Sequence, residues 1–236
     1  MTSKKPEKQA PSADRPNADR PSADKQRLVL LDAASEMLAQ EGPGAISLRK
    51  LAAKIGKSTM TIYTGFGGKS GLIDALYAEG FKRLGDAQQA AATDPNPLVR
   101  LGKLAEAYRT FALANPNYYA LMINVIMPLT DKARSTENVP AARLIAQERA
   151  YEYLIETVAD AIKQAYLRPD LDAAKVADVF WAAVHGHCSL ELAGYYKSEK
   201  DAAERFDLIR HAVITSFTTD KARALLEQTS TMANPA

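Results

Sequence analysis

The chain has 236 residues, 47% of them apolar, a formal net charge of +2 and a single cysteine, Cys188. That length admits two modest domains or one large one, and one cysteine excludes an internal disulfide framework and fits a reducing compartment. No apolar run reaches membrane-spanning length, and Lys4, Lys5, Glu7 and Lys8 are followed by no apolar stretch of the kind a secretion signal needs, so the expectation is a soluble cytoplasmic protein.

Residues 1–24 read as a disordered tail. A five-residue repeat runs through residues 11–25 as Pro-Ser-Ala-Asp-Arg, Pro-Asn-Ala-Asp-Arg, Pro-Ser-Ala-Asp-Lys. With no large apolar residue after Met1, it has nothing to bury against the entropy of ordering. Leu30, Ala34, Met37 and Leu38 then make one face of a first helix, closed by Gly42 and a Pro43-Gly44 turn. Ser47 is placed to cap a second helix, Leu48–Ile55, which Gly56 breaks. Ser58 is placed to cap a third, Thr59–Phe66, with Ile62 and Phe66 inward. Leu72, Ile73, Leu76, Tyr77, Phe81 and Leu84 build a longer fourth helix.

Asp94-Pro95-Asn96-Pro97 marks a boundary, with Asn96 as cap and Pro97 at the first helical position. Further helices are expected over about 98–114, from Pro116 to about Met127, and over about 140–167, 173–194 and 202–227. Leu171 and Val176 flank the Asp172 cap as a hydrophobic staple does. Long apolar stripes, few glycines and no alternating strands give an all-α expectation.

Gly67-Gly68-Lys69-Ser70 looks like the end of a phosphate-cradling nucleotide loop, but that loop needs a glycine where Tyr63 stands and a buried strand before it. The charge distribution points to a different phosphate. Residues 45–70 contain Arg49, Lys50, Lys54, Lys57 and Lys69 and no acid, whereas residues 91–236 hold 16 basic and 18 acidic side chains. An acid-free basic segment favours a polyanion partner. Helices two and three are too short to stand alone, and packed on helix one around Gly56 they make a helix-turn-helix. Small hydroxyl residues Thr59, Thr61 and Thr64 suit close approach to bases or phosphates, Met60 suits a thymine methyl, and Tyr63 offers a phenol to the backbone. Ser47 and Ser58 stand at helix starts, where amides and dipole favour phosphate, with Lys69 adding a charge to the same surface. Gly65, Gly67 and Gly68 are expected to form the corner before helix four.

The run Ser47-Leu48-Arg49-Lys50-Leu51-Ala52, then Gly56 to Phe66 and Gly68-Lys69, resembles the DNA-binding domain of the TetR family of transcriptional regulators over roughly residues 25–73. The resemblance implies Ser47, Arg49, Thr61, Tyr63 and Lys69 as DNA-backbone contacts and Thr59, Met60 and Thr64 as base-facing. Two positions depart from the pattern. Lys57 replaces a small apolar residue and adds a cation; Gly65 replaces the common His or Tyr and removes the contact that ring often makes. The resemblance further implies an all-α effector-binding and dimerisation domain, with the last two long helices forming a four-helix interface between subunits. Phe180-Trp181-Ala182-Ala183-Val184-His185-Gly186-His187 is similar to the Trp-His-Gly type of C-terminal domain found in part of that family.

The expected organisation is a tail (1–24), a helix-turn-helix DNA-binding domain (25–70), a connecting helix (71–94), an effector-binding and dimerisation domain (95–228) and a second tail (229–236). Val176, Val179, Phe180, Val184, Phe206, Ile209, Val213 and Phe217 offer more apolar surface than one thin helical layer buries, which suggests a second subunit. Tyr108, Phe111, Tyr118, Tyr119, Met122, Tyr151, Trp181 and His185 are candidate lining residues for a small molecule, with Met127 beside them, and plain core packing is the competing reading for each. His185 and His187 lie on different sides of one helix and gather no three convergent ligands, so no metal is expected. No nucleophile–base arrangement or carboxylate pair supports catalysis, and no cofactor is implied. The expected function is a homodimeric repressor that binds a near-palindromic double-stranded operator and leaves it when an effector binds. The alternatives are a helical small-molecule binding protein without DNA binding and an α-helical enzyme.

Overall fold

The computed structural model describes residues 23–41, 47–122, 141–220 and 222–223. The Gly42 and Pro43-Gly44 turn, Met127 and both expected tails except Ala23 and Asp24 lie outside these residues. Nine helices are present among them: α1 (Ala23–Glu41), α2 (Leu48–Lys54), α3 (Thr59–Phe66), α4 (Lys69–Ala91), α5 (Pro97–Ala114), α6 (Pro116–Met122), α7 (Ala141–Lys163), α8 (Ala173–Leu192) and α9 (Glu199–Phe217). Ala23 and Asp24, read with the tail, belong to the first turn of α1, where an acid complements the helix dipole.

Helix starts follow local chemistry. Ser47 and Ser58 have extended backbones, and their hydroxyls accept from Lys50 N at 3.4 Å and Thr61 N at 3.3 Å. Asn96 accepts from Leu98 N at 2.9 Å with Pro97 beginning α5, and Asp172 accepts from Lys175 N at 3.0 Å. Leu171 and Val176 both pack in the core beneath that cap.

The last helix departs from expectation at both ends. It begins at Glu199 under the Ser198 cap, with Glu199 and Asp201 in its first turn, and ends at Phe217 rather than near 227. Thr218 is extended and pairs with Leu167 as an isolated antiparallel bridge. Arg168 N donates to Phe217 O at 3.1 Å and Thr219 N to Tyr166 O at 3.0 Å, so the chain after α7 stops α9.

Two apolar clusters hold the fold. The first joins α1 to α6 and reaches Val184 and Cys188 of α8 and Phe206 of α9; the second joins α5, α7 and α8 through Leu98, Leu101, Leu154, Val158, Val176 and Phe180. The first cluster is continuous from Leu31, Leu51 and Ile62 of the N-terminal helices to Tyr108 and Tyr119, with α4 running through it. Burial of one such fully enclosed Leu or Ile contributes about 2–3 kcal/mol. Among the expected interface residues, Val176, Phe180, Val184 and Phe206 are buried within the subunit, and the large apolar side chains left exposed on α8 and α9 are Val179, Trp181, Leu190, Leu192 and Leu208.

Candidate nucleic-acid interface and effector site

α3 has two faces. Ile62 is sealed in the core, while Thr59, Met60, Thr61, Tyr63 and Thr64 are exposed, Met60 at 69% and Tyr63 at 54%. Between α2 and α3, Gly56 turns with φ +64°. At the other end Gly67 takes the left-handed conformation (φ +71°) and Gly68 a φ of +119°, which an L side chain rarely adopts. Gly65 does not belong to this corner: it lies inside α3, and a Cβ there would meet no atom within 4 Å. The glycine the sequence reading missed is Gly71. A Cβ on it would overlap the Phe66 carbonyl oxygen and stand 3.0 Å from the carbonyl carbon. That close approach sets how tightly α4 folds back on α3.

Of the other predicted residues, Ser47 is half-buried. Arg49, Lys57, Ser58 and Lys69 are exposed, and Lys69 opens α4. The Tyr63 ring lies against the corner, 3.5 Å from where a Cβ on Gly68 would stand. Ser58 Oγ is 3.1 Å from Thr61 Oγ1, so these two hydroxyls orient each other. Lys54 leaves the basic segment, since its ammonium pairs with Glu36 of α1 at 2.8 Å.

The candidate effector residues separate into two groups. Tyr108 and Tyr119 both place their phenols on His185 Nδ1, at 3.1 and 2.9 Å. Tyr119 Oη also lies 3.0 Å from the His185 carbonyl and 3.1 Å from Ser189 Oγ. Trp181 stacks on the same imidazole with centroids 5.2 Å apart, Tyr151 meets Trp181 edge-on, and Tyr151 donates to Asp178 at 2.5 Å. Burial raises the Tyr108 phenol, pushes Tyr119 up to about 12 and lowers His185, so burial favours the uncharged form of these three side chains. Ser189 and Asp178, absent from the sequence reading, complete it.

Tyr118, the neighbour of Tyr119, turns the other way. Its phenol donates to Asp32 of α1 at 2.9 Å, and Arg83 of α4 lies 4.5 Å over its ring. Arg83 also pairs with Asp32 and with Glu79, each at 2.8 Å. Met122 packs on α4 where Gly80 has no side chain: a Cβ there would meet Met122 Sδ at 2.9 Å and Tyr118 Cδ1 at 3.4 Å. Phe111 is buried in the first apolar cluster. Tyr118 and Met122 therefore hold α6 to α1 and α4 rather than facing His185. Asp32 and Arg83 escaped the sequence reading because each looks like an ordinary charge on a solvated helix face.

His187 stands apart from His185. It lies between the Tyr196 and Phe206 rings, with Nδ1 3.0 Å from the Tyr196 hydroxyl and Nε2 3.4 Å from Glu191. Arg109 grips Glu191 with two bonds, at 2.7 and 2.5 Å. Among the described residues no three His, Cys, Asp or Glu side chains are grouped to hold a metal ion, and no helix is long and apolar enough to cross a membrane. Burial pushes the Cys188 thiol up to about 12.

Two parts of the chain match known families. Residues 30–76 match the bacterial regulatory proteins of the tetR family, and residues 101–213 match the tetracyclin repressor-like C-terminal domain. YobS of Bacillus subtilis strain 168, an uncharacterised HTH-type transcriptional regulator, is 31% identical over 91 residues, 39% of this chain and 48% of YobS. The match thus spans about half the length of that curated relative. Among solved structures, a Rhodococcus sp. RHA1 protein of unknown function superposes with a TM-score of 0.71 at 25% identity, covering 87% of this chain and 100% of its own. The TetR family transcriptional regulator PfmR from Thermus thermophilus, at 19% identity, shares the fold with a TM-score of 0.61 over 79% of this chain and 97% of its own. With both halves matched in order on an all-α frame that presents a helix-turn-helix, the chain belongs to the TetR family of transcriptional regulators.

Proposed function

We propose that the chain is a homodimeric repressor, not an enzyme, that reads a near-palindromic DNA operator with α3 and is released by a small-molecule effector. The observation that carries this reading is the two-faced α3, with Ile62 sealed inside and Thr59, Met60, Thr61, Tyr63 and Thr64 standing free between Lys57 and Lys69. In it Thr59, Met60 and Thr64 face bases. Ser47, Arg49, Lys57, Ser58, Thr61, Tyr63 and Lys69 hold the phosphate backbone and fix register. Residues 25–70 are the reading head, residues 71–94 the connecting helix and residues 95–228 the effector-binding and dimerisation body.

Selection of operators from random DNA tests the reading. The expected result is a motif of two inverted half-sites spaced near one helical turn, roughly 34–36 Å. Substituting Met60 or Thr64 should change the preferred base at one position per half-site, by about 1–3 kcal/mol per lost contact. Failure to select any motif overturns the function, and a motif unchanged in both variants means that another face of α3 reads the bases. Lys69→Ala is expected to weaken all DNA sequences alike and to flatten the salt dependence by about one ion, because a phosphate contact carries counterions but no sequence. A titration across salt concentrations with unaltered slope takes Lys69 out of the interface.

The dimer reading rests on Val179, Leu190 and Leu208, exposed at 46%, 44% and 67% along α8 and α9. A two-fold axis through this face would cover them in both subunits at once. Sedimentation at micromolar concentration should give a dimer, and Leu208→Glu should give a monomer that no longer binds the full operator. A wild-type monomer overturns the arrangement. For the effector, the Tyr108–Tyr119–His185–Trp181–Tyr151 cluster offers aromatic faces and neutral hydrogen-bonding groups, while Tyr118 and Met122 hold α6 on its other side. The effector acts only through a difference in its affinity for the two arrangements of the dimer.

A further inference from the structure

We propose that Arg27 is a DNA-phosphate ligand, carried by α1 to the part of the reading head that Gly65 leaves bare. The proposal rests on the DNA-binding reading above and adds a residue from outside the helix-turn-helix pair.

At position 65 nothing steric requires glycine, since an added Cβ would meet open space. Gly65 is exposed, and its carbonyl and the adjacent Phe66 ring are both met by Arg27. α3 ends at Phe66, and the amide of the left-handed Gly67 is taken by Tyr63 O. The carbonyl of Gly65 therefore sits among the last carbonyls of α3, which the helix itself does not satisfy. Arg27, 38 residues earlier in the chain, supplies the donor: its Nη1 bonds Gly65 O at 3.2 Å, and its guanidinium carbon lies 4.5 Å from the Phe66 centroid.

This arrangement fixes a cation more firmly than a surface arginine is usually fixed. One N–H is bound to the carbonyl and the plane rests near an aromatic ring, which leaves the other donors of the guanidinium fork pointing elsewhere. The residue is exposed, and its hydrogen bond and ring contact are both to uncharged groups. The same corner carries Tyr63, packed on Gly68, and Lys69 at the start of α4. Arg27, Tyr63 and Lys69 thus gather three phosphate-binding groups at one end of the reading helix. A preordered fork loses less freedom on meeting a phosphate than a mobile lysine does.

A helix cap alone would need the hydrogen bond but not the charge, and that difference sets the experiment. Operator and non-specific DNA binding are titrated across salt for wild type, Arg27→Gln, Arg27→Lys and the double variant Arg27→Ala/Gly65→Lys, with thermal melting as a check on folding. Arg27→Gln retains an N–H for the Gly65 carbonyl and loses the cation. It is expected to bind both kinds of DNA about tenfold more weakly and to flatten the log–log salt slope by about 0.9. Arg27→Lys is expected to keep the slope. The double variant, with its cation moved to the open position 65, is expected to recover the slope lost in Arg27→Gln. If Arg27→Gln binds with the wild-type slope, or alters only melting temperature, Arg27 is a cap and the proposal falls. If wild type shows no salt-dependent DNA binding at all, the DNA-binding reading fails first and this assignment falls with it.

Discussion

Gly71→Ala is expected to disable the reading head, although the residue touches no expected DNA contact. The new methyl group would overlap the Phe66 carbonyl oxygen, and a backbone atom cannot swing aside as the end of a long side chain can. Relief requires α4 to lift away from α3, opening the Gly67–Gly68 corner and exposing Ile62 and Leu72, both 0% exposed in the folded chain. The expected cost is about 3 kcal/mol or more, at the upper end for overpacking a tight contact. For a chain of this size that lowers the melting temperature by roughly 6–12 °C. Operator affinity should fall even well below the melting temperature, because the position of α3 relative to α4 depends on the same contact. Ser70→Ala, at the exposed neighbouring position, is the control and should do little. Wild-type melting and affinity in Gly71→Ala would mean that the corner has slack.

Removing Arg109 is expected to have the largest effect in the body of the protein. The side chains of Arg109 and Glu191 are only 17% and 10% exposed, and the two bonds between them tie α5 to α8. Arg109→Met leaves the Glu191 carboxylate buried without its main partner, a situation that typically costs about 3–5 kcal/mol. Arg109→Met/Glu191→Leu should regain most of that loss, since no charge is then stranded. The pH dependence gives a second signature. In the wild type the Arg109 hydrogen bond holds Glu191 below the usual carboxylate range. The pair's contribution is therefore complete above the unfolded carboxylate value and is lost as pH falls through the folded one. In Arg109→Met burial, the largest single influence left, raises the carboxyl against the pull of His187, so the damage should be greatest near neutral pH and shrink in acid. Urea midpoints at pH 7.5 and pH 5 test both points. Single and double variants that are equally unstable would assign the effect to lost packing of the arginine stem.

What could be read from the sequence divides along a physical line. Caps at Ser47, Ser58, Asn96 and Asp172 were legible because a cap involves a side chain and an amide two or three residues on. The inward Ile62 followed from helical spacing, and the outward Thr59, Met60 and Thr64 from the polar face of helix three together with the family resemblance. The end of α9 was not legible, because it is imposed by the Leu167–Thr218 bridge, whose halves lie far apart in sequence. Its start was missed despite a local signal, the Ser198 cap followed by Glu199 and Asp201. Gly65 and Gly71 were misjudged for one reason: composition marks a glycine-rich corner but does not say which glycine has a carbonyl pressed against it. Tyr118 and Tyr119 could not be told apart either. Two adjacent aromatics lie about 100° apart on a helix, and spacing alone does not say that one meets α8 and the other α1.

Those two tyrosines also bear on how relatives of this protein diverge. The described part of α6, Pro116–Met122, is two turns that carry both tyrosines side by side. Tyr119 is fitted to His185 and Ser189 on one side, and Tyr118 to Asp32 and Arg83 on the other. A lineage that reshapes the cluster around Tyr119 to admit a different molecule tilts or slides the frame that also carries Tyr118. Drift at positions 185 and 189 should then be accompanied by compensating change at 32 and 83, although the two sets never touch. Correlated substitution between them, across an alignment of full-length relatives, would be the historical trace of a single short helix serving two neighbours.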